Sequence, residues 1–411
     1  MKQTTSFFLI LMLFVLKLQA VEVGLDLVFQ PPYVENLKGK KIGLITNHTA
    51  INKRLETSIQ LFLKEQDKAK FELVAFFAPE HGLYGDAHAG CDIASSKSED
   101  GIPIHSLHGI TRRPTTQMLK GISLLVFDIQ DIGARSYTYA TTLYYAMEEA
   151  AKLHIPVLVL DRPNPINGII VDGPMLEKEL RSFVGYINVP YCHGMTIGEL
   201  ARFFNEEYKI GCDLSVVPMR GWKRWMNFDD TGLHWIPTSP NIPESSTACF
   251  YPMTGFLGDM RFVSIGIGYT LPFKVVGAPW IHSTKFAAAL NTRRLPGVHF
   301  YPFRFQPVGG SFLAKPCKGV LLKITNPQRF LPVTTAYAIL STLKEQYPKE
   351  MAKAIRDIKS KPETFFKACG THAILNMLEK EKLPFSKMTA IHAKERQKFL
   401  ETRKKYLFSE Y

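Results

Sequence analysis

Residues 122–163 read ISLLVFDIQDIGARSYTYATTLYYAMEEAAKLHIPVLVLDRP. Two short aliphatic runs, each ended by an aspartate, bracket a stretch with apolar residues at i, i+3, i+4 and i+7 spacing. A strand covered on both faces shows as an unbroken apolar run, and a helix lying on it shows a 3.6-residue period. The segment therefore predicts a strand–helix–strand unit with parallel strands.

The same alternation extends to both sides. KIGLIT, FELVAFFAP and CDLSVVPM read as further strands, and RLETSIQLFLKEQ and TIGELARFFNEEY as amphipathic helices. Residues 21–230 are thus expected to form a Rossmann-like, doubly wound α/β domain with a mostly parallel sheet. After Met219 the composition changes, and GWKRWMNFDDTGLHWIPTSPNIP is dense in Trp, Pro and Gly and reads as an irregular crossing segment. Strand-like GVLLKITNP and helical TTAYAILSTLKEQY follow. Residues 231–411 are expected to form a smaller α+β auxiliary domain that closes a cleft.

The first twenty residues, MKQTTSFFLILMLFVLKLQA, have an early lysine, an apolar run too short for an ordinary membrane span, and a small residue at Ala20. That layout predicts a secretory signal peptide and an exported, periplasmic or secreted chain with no stable membrane insertion after cleavage. The net charge is +13, which favours anionic surroundings. The excess forms no nucleic-acid-gripping arm. Much of it lies in HAKERQKFLETRKKYLFSEY, where it alternates with Glu as on a solvated helix. An acidic wall polymer suits a basic exported protein better than DNA. The six cysteines are widely spread and allow either disulfides or buried thiols.

Ligands of open α/β sheets bind beyond the carboxyl ends of the strands. Four predicted strands end there in polar loops: Asn47 and His48 after the first, Glu80 and His81 after FELVAFFAP, Asp128 and Asp131 after ISLLVF, and Asp161 in DRPNP. No G-x-G-x-x-G, P-loop, H-E-x-x-H or G-x-S-x-G motif occurs, so dinucleotide, nucleotide-hydrolysing, zincin and α/β-hydrolase chemistry lose support, and no cofactor is expected. His81, Asp86, His88, Cys91, Asp92, His105 and His108 fall in one stretch, but their spacing matches no standard metal pattern. What remains is carboxylate chemistry. Glycoside cleavage needs a carboxyl that assists the leaving oxygen, and Glu80, just past an apolar strand and Pro79, stands where partial burial favours that role. Asp128 and Asp131 are the other catalytic candidates, and N-capping of the next helix is their ordinary alternative. Asp161 has the alternative of tying down its loop through Arg162. Arg135 and Tyr137 are candidates for holding a substrate anion and a hydroxyl, with a salt bridge and packing as their plain roles.

TNHTA, FFAPEHGLYGDAHAG, FDIQDIGARSYTY, DRPNPINGIIVDGP, HGMTIGELARFFN, TGLHWIPTSPNIP and PFKVVGAPW resemble successive blocks of the exo-β-N-acetylmuramidase family, bacterial wall enzymes long known only as a domain of unknown function. The resemblance runs in order from about Val23 into the C-terminal helices. It implies release of terminal N-acetylmuramic acid (MurNAc) from the non-reducing end of peptidoglycan fragments, in a cleft between a Rossmann-like and an auxiliary domain. The family's proposed catalytic glutamate falls on Glu80. Asn47, His81, Arg135, Tyr137, Asp161, Asn164, His193 and Asn241 lie in the matching blocks and are expected to bind substrate. One block departs: where members carry E-G-T-N-V-S-x-G-R-G-T, this chain has Asp259, Phe262 and Ile267 at the glutamate, asparagine and arginine places. Two other readings stay open: a non-catalytic muropeptide binder and a metal-dependent amide hydrolase such as a deacetylase.

Overall fold

The computed structural model describes residues 20–88, 90–360 and 363–411. The predicted leader, apart from Ala20, lies outside the described residues. Among those residues no helix is long and apolar enough to cross a membrane.

The first half is built on a seven-stranded sheet. Its strands are β1 (Lys41–Thr46), β2 (Glu72–Ala78), β3 (Ser96–Lys97), β4 (Pro103–Ser106), β5 (Leu124–Asp128), β6 (Val157–Leu160) and β7 (Leu214–Val217), in the order β3-β4-β2-β1-β5-β6-β7. All neighbours run parallel except β3, which pairs antiparallel with β4 at the edge. The expected strands are all present. The additions, β3 and β4, are too short and polar to show an apolar run. After the single turn α1 (Gly24–Leu27) come α2 (Ser58–Ala69), α3 (Thr138–Lys152) and α4 (Ile197–Glu207). Helices α2 and α4 start at reciprocal caps: Thr57 Oγ1 accepts from Gln60 N, while Gln60 Oε1 accepts from Thr57 N. Thr196 and Glu199 do the same for α4.

Register aligns the loops that carry the site. Ile45 pairs with Phe77 on one side and Phe127 on the other, and Phe127 pairs with Val159. The segments after β1, β2, β5 and β6 therefore leave one edge of the sheet together. Chain order reverses between β1 and β5, the switch point at which such sheets open a crevice.

The second half has a three-stranded antiparallel sheet, β8 (Val275–Ala278), β10 (Cys317–Ile324) and β9 (Val298–Phe305). Helix α6 (Ser283–Thr292) packs on β9 and β10, and α7 (Pro332–Gln346) packs on α6 and on α5 (Ser245–Asp259). Then come α8 (Pro348–Ser360), α9 (Glu363–Cys369), α10 (Ala373–Lys380), α11 (Phe385–Ala390) and α12 (Ala393–Arg403). Helix α5 is not legible in the sequence, because Pro252 inside it and Gly255 and Gly258 all disfavour a helix. Tertiary burial overrides them: Phe256 and Leu257 are buried in a core cluster that reaches without a break from Phe127 to Leu340. The C-terminal basic helix is not wholly solvated either. Arg403 is buried, and its Nη1 donates to the carbonyls of His193 and Gly194. The six cysteines are free thiols, with Cys91 exposed and the other five buried.

Candidate active site

Glu80 is held by a stiff turn. Strand β2 ends at Ala78, and Gly82 N donates to Pro79 O at 3.0 Å. His81 adopts a left-handed φ of 70° and is tied down by its ring: Nδ1 lies 2.8 Å from Ala87 O, an atom that only accepts, so Nδ1 carries the proton. Further on, Gly85 at φ +79° passes so close to His48 that an added Cβ would lie 2.0 Å from its ring. His48 in turn bonds Pro237 O through Nε2 at 2.7 Å, which clamps the turn to the segment crossing from the second half.

The Glu80 side chain is 13% exposed. Its Oε2 accepts from Thr138 Oγ1 at 2.6 Å and its Oε1 from Gly90 N at 3.0 Å. Thr138 is the first residue of α3, so the carboxylate meets the positive end of that helix. His108 Nε2 stands 3.7 Å from Oε1, and burial pushes the imidazole pKa down, which keeps it neutral at neutral pH. No lysine or arginine forms an ion pair with Glu80 among the described residues.

The other edge carboxylates are differently committed. Asp128 is wholly buried and takes a two-pronged ion pair from Arg162, Nε to Oδ1 at 2.5 Å and Nη2 to Oδ2 at 2.9 Å. The sequence offers Asp161 as the partner of Arg162, but the guanidinium reaches across to the neighbouring strand, and Arg162 gives Asp161 only its backbone N–H. Asp161 also accepts from Gly198 N, Thr196 Oγ1 and Tyr411 OH, which fills both oxygens and ties the start of α4 to the last residue. Asp131 accepts from Gly133 N at 2.7 Å, its Oδ1 has no partner among the described residues, and burial pushes its pKa up to about 7. Neither Asp128 nor Asp131 caps α3, whose N-cap is Tyr137.

Several expected binding residues shape loops instead of facing open space. Asn47 is fully buried, and its Oδ1 accepts from Thr49 N and Oγ1. Asn164 bonds Met195 O and Ile166 N, and it packs so tightly on Gly133 (φ +79°) that a Cβ there would fall 2.1 Å from Asn164 Oδ1. His193 is buried, accepts from Met195 N, and has its pKa pushed down to about 3 by that burial.

Arg135 differs most from expectation. It is buried and donates to the carbonyls of Pro174, Val189 and Cys369 at 2.7, 2.8 and 2.8 Å, without a carboxylate partner among the described residues. A guanidinium so engaged stitches the two halves together and has little left for a substrate anion. Arg135→Ala should leave three buried carbonyls unpaired, at about 1–3 kcal/mol each before relaxation. Thermal melting should show a large drop, while KM for anionic and neutral substrates changes alike.

Tyr137 links Glu80's surroundings to a cavity. Its ring lies edge-on to Tyr139 and to Tyr251, with centroids at 4.9 and 5.9 Å. Ser136 Oγ shares hydrogen bonds with the hydroxyls of Tyr191 and Tyr251. Tyr251 and Asn241 line a cavity of about 690 Å³, whose wall also includes Asp259, Arg261, Ile265 and Ile267. The segment that departs from the family pattern is therefore a wall of the cavity that Tyr251 lines, and Tyr251 also feels the charge of Glu80. Phe262 of that segment stacks on Trp280. Nothing in the sequence pattern marks Thr138, Tyr251 or Arg261, and His108 stands out there only as a metal-ligand candidate. SYTY holds several polar groups, and spacing alone does not tell which one turns toward a loop 58 residues away.

Of the histidines, aspartates and cysteine weighed as metal ligands, no three bring ligand atoms together among the described residues. The group that does, Glu177, Glu179 and His372, lies elsewhere, and Glu177 already accepts from Thr371 and His372.

Models of the N-terminal and C-terminal parts of the exo-β-N-acetylmuramidase NamZ match residues 42–246 and 249–408. The chain belongs to the exo-β-N-acetylmuramidase family. It is 42% identical over 388 residues to the peptidoglycan β-N-acetylmuramidase NamZ of Bacillus subtilis, covering 94% of this chain and 91% of that one. Two DUF1343-family proteins of Bacteroides fragilis share the fold of this family member. One has a TM-score of 0.87 at 36% identity, the other 0.70 at 28%, and each comparison covers 95% of this chain and 99% of the other. Both the mostly parallel sheet and the smaller C-terminal part agree with those structures.

Proposed function

We propose that the chain is an exo-acting glycosidase that releases terminal MurNAc from the non-reducing end of peptidoglycan fragments, with Glu80 as the proton-transferring carboxylate. One observation carries the assignment of Glu80. Of the four carboxylates at the sheet edge, Asp128 is neutralised by Arg162, Asp161 is filled by donors, and Asp131 is sunk in its own turn. Glu80 has no lysine or arginine partner among the described residues, keeps some exposure, and has its rotamer held by Thr138 and Gly90. A group that must gain and lose a proton each turnover needs that combination. The similar Bacillus protein, named a peptidoglycan β-N-acetylmuramidase, supports the substrate class.

Purified protein should release the chromophore from a β-linked MurNAc glycoside, equally well with and without a chelator. Binding without turnover would instead select the non-catalytic muropeptide reading, and loss of turnover in chelator the metal-dependent amide hydrolase. We also propose that the chain acts outside the cytoplasm, on the strength of its first twenty residues and its basic charge. N-terminal sequencing should then give a start near Val21, and Met1 retained on a cytoplasmic protein would overturn this.

A further inference from the structure

The cavity beside Tyr251 holds an unusual pair. Asp259, the last residue of α5, and Arg261, two residues on, both line it, yet neither side chain makes a hydrogen bond or ion pair among the described residues. They lie close enough to feel each other's charge. The rest of the wall is mixed, with Ile265 and Ile267 apolar and Asn241 and Ser311 offering amide and hydroxyl groups. Leaving a partly buried carboxylate unpaired is costly in an empty protein and sensible where a ligand completes it.

We propose that Asp259 and Arg261 read the anionic lactyl arm of the terminal sugar, Arg261 supplying positive charge and Asp259 a hydrogen bond whose sense depends on its proton. The proposal rests on the muramidase reading above and adds the residues that set its specificity. Protonated Asp259 donates its O–H to the lactyl carboxylate and leaves Arg261 free to attract it. Ionised Asp259 repels the same carboxylate and competes for Arg261.

The surroundings put this exchange near neutrality. Desolvation pushes the Asp259 pKa up to about 7, against the opposing pull of Arg261, and the negative end of α5 acts in the same direction as burial. The neighbouring titratable groups are Tyr251 on α5 and Cys369 at the end of α9, both held neutral by burial. Helix α9 also carries Lys367, and α7, packed on α5, brings Tyr337, again kept neutral by burial. The charge of Glu80 also acts on Tyr251 and adds to the upward push on its hydroxyl.

The test compares a chromogenic MurNAc glycoside with its counterpart in which the lactyl carboxylate is an amide. For the wild type, KM for the acid should rise about tenfold per pH unit above about 7, as expected for one ionisation, and KM for the amide should stay nearly flat. Asp259→Asn should flatten the acid's profile. Arg261→Asn, chosen because asparagine tolerates the left-handed φ of 55° at this position, should raise KM about tenfold more for the acid than for the amide. Equal responses of acid and amide in Arg261→Asn, or an unchanged pH profile in Asp259→Asn, would overturn the proposal. If the wild type cleaves neither glycoside, the catalytic reading fails separately. Calorimetric binding of free MurNAc and its lactyl amide to the same three proteins then decides the pocket. Loss of the preference for the acid in the variants supports the pair, and an unaltered preference refutes it.

Discussion

Glu80→Gln should fold, melt near the wild-type temperature and still bind sugar, while kcat falls by about 10²–10⁴, the usual share of a positioned proton-transfer group. The amide keeps the size of the side chain and an oxygen to accept from Thr138 Oγ1, now 2.6 Å away. What it removes is the transferable proton. The loss should shrink on glycosides with good leaving groups, which need less protonation. Near-normal turnover of a natural disaccharide by this variant would make Glu80 a structural residue. Failure to fold would also make it structural, since the turn from Pro79 to Gly90 would then depend on the carboxylate as an anchor.

A large stability effect is also expected at the buried Asp128–Arg162 pair. Arg162→Met leaves Asp128 wholly buried with its two strong donors gone, and it also strips the Arg162 bond to Ile51 O. Breaking one side of such a buried pair costs about 3–5 kcal/mol, because the remaining charge has neither water nor partner. The double change Asp128→Leu with Arg162→Met removes both charges and should recover much of that loss. Denaturant midpoints of the three proteins check this. A single variant as stable as the wild type would mean that water or another group reaches Asp128.

The two outcomes draw on different kinds of information. Strand identity is readable because a strand buried on both faces must be apolar along its length, a local property that KIGLIT and IPVLVL display openly. Helix α3 is readable from its period. The position of Glu80 at the ligand edge follows from these, since a residue just past a parallel strand has to emerge there. Helix α5 escapes, because its proline and glycines argue locally against a helix that only packing onto α7 and the core makes favourable.

The fate of each polar side chain is not local. Asp128, Asp131, Asp161 and Glu80 look equivalent in sequence, each just beyond a strand. What separates them is Arg162 arriving from 34 residues away, Thr138 from 58, and Tyr411 from 250. Arg135 reads as a free cation until Cys369 O, 234 residues on, is seen to accept from it. Local pattern is thus enough for the parallel sheet, its ligand edge and the place of Glu80 on it. Which charges are spent on the fold and which face the cavity follows from the packed chain alone. Electrostatic commitment depends on distance through space, and a buried charge keeps whichever partner folding brings within reach.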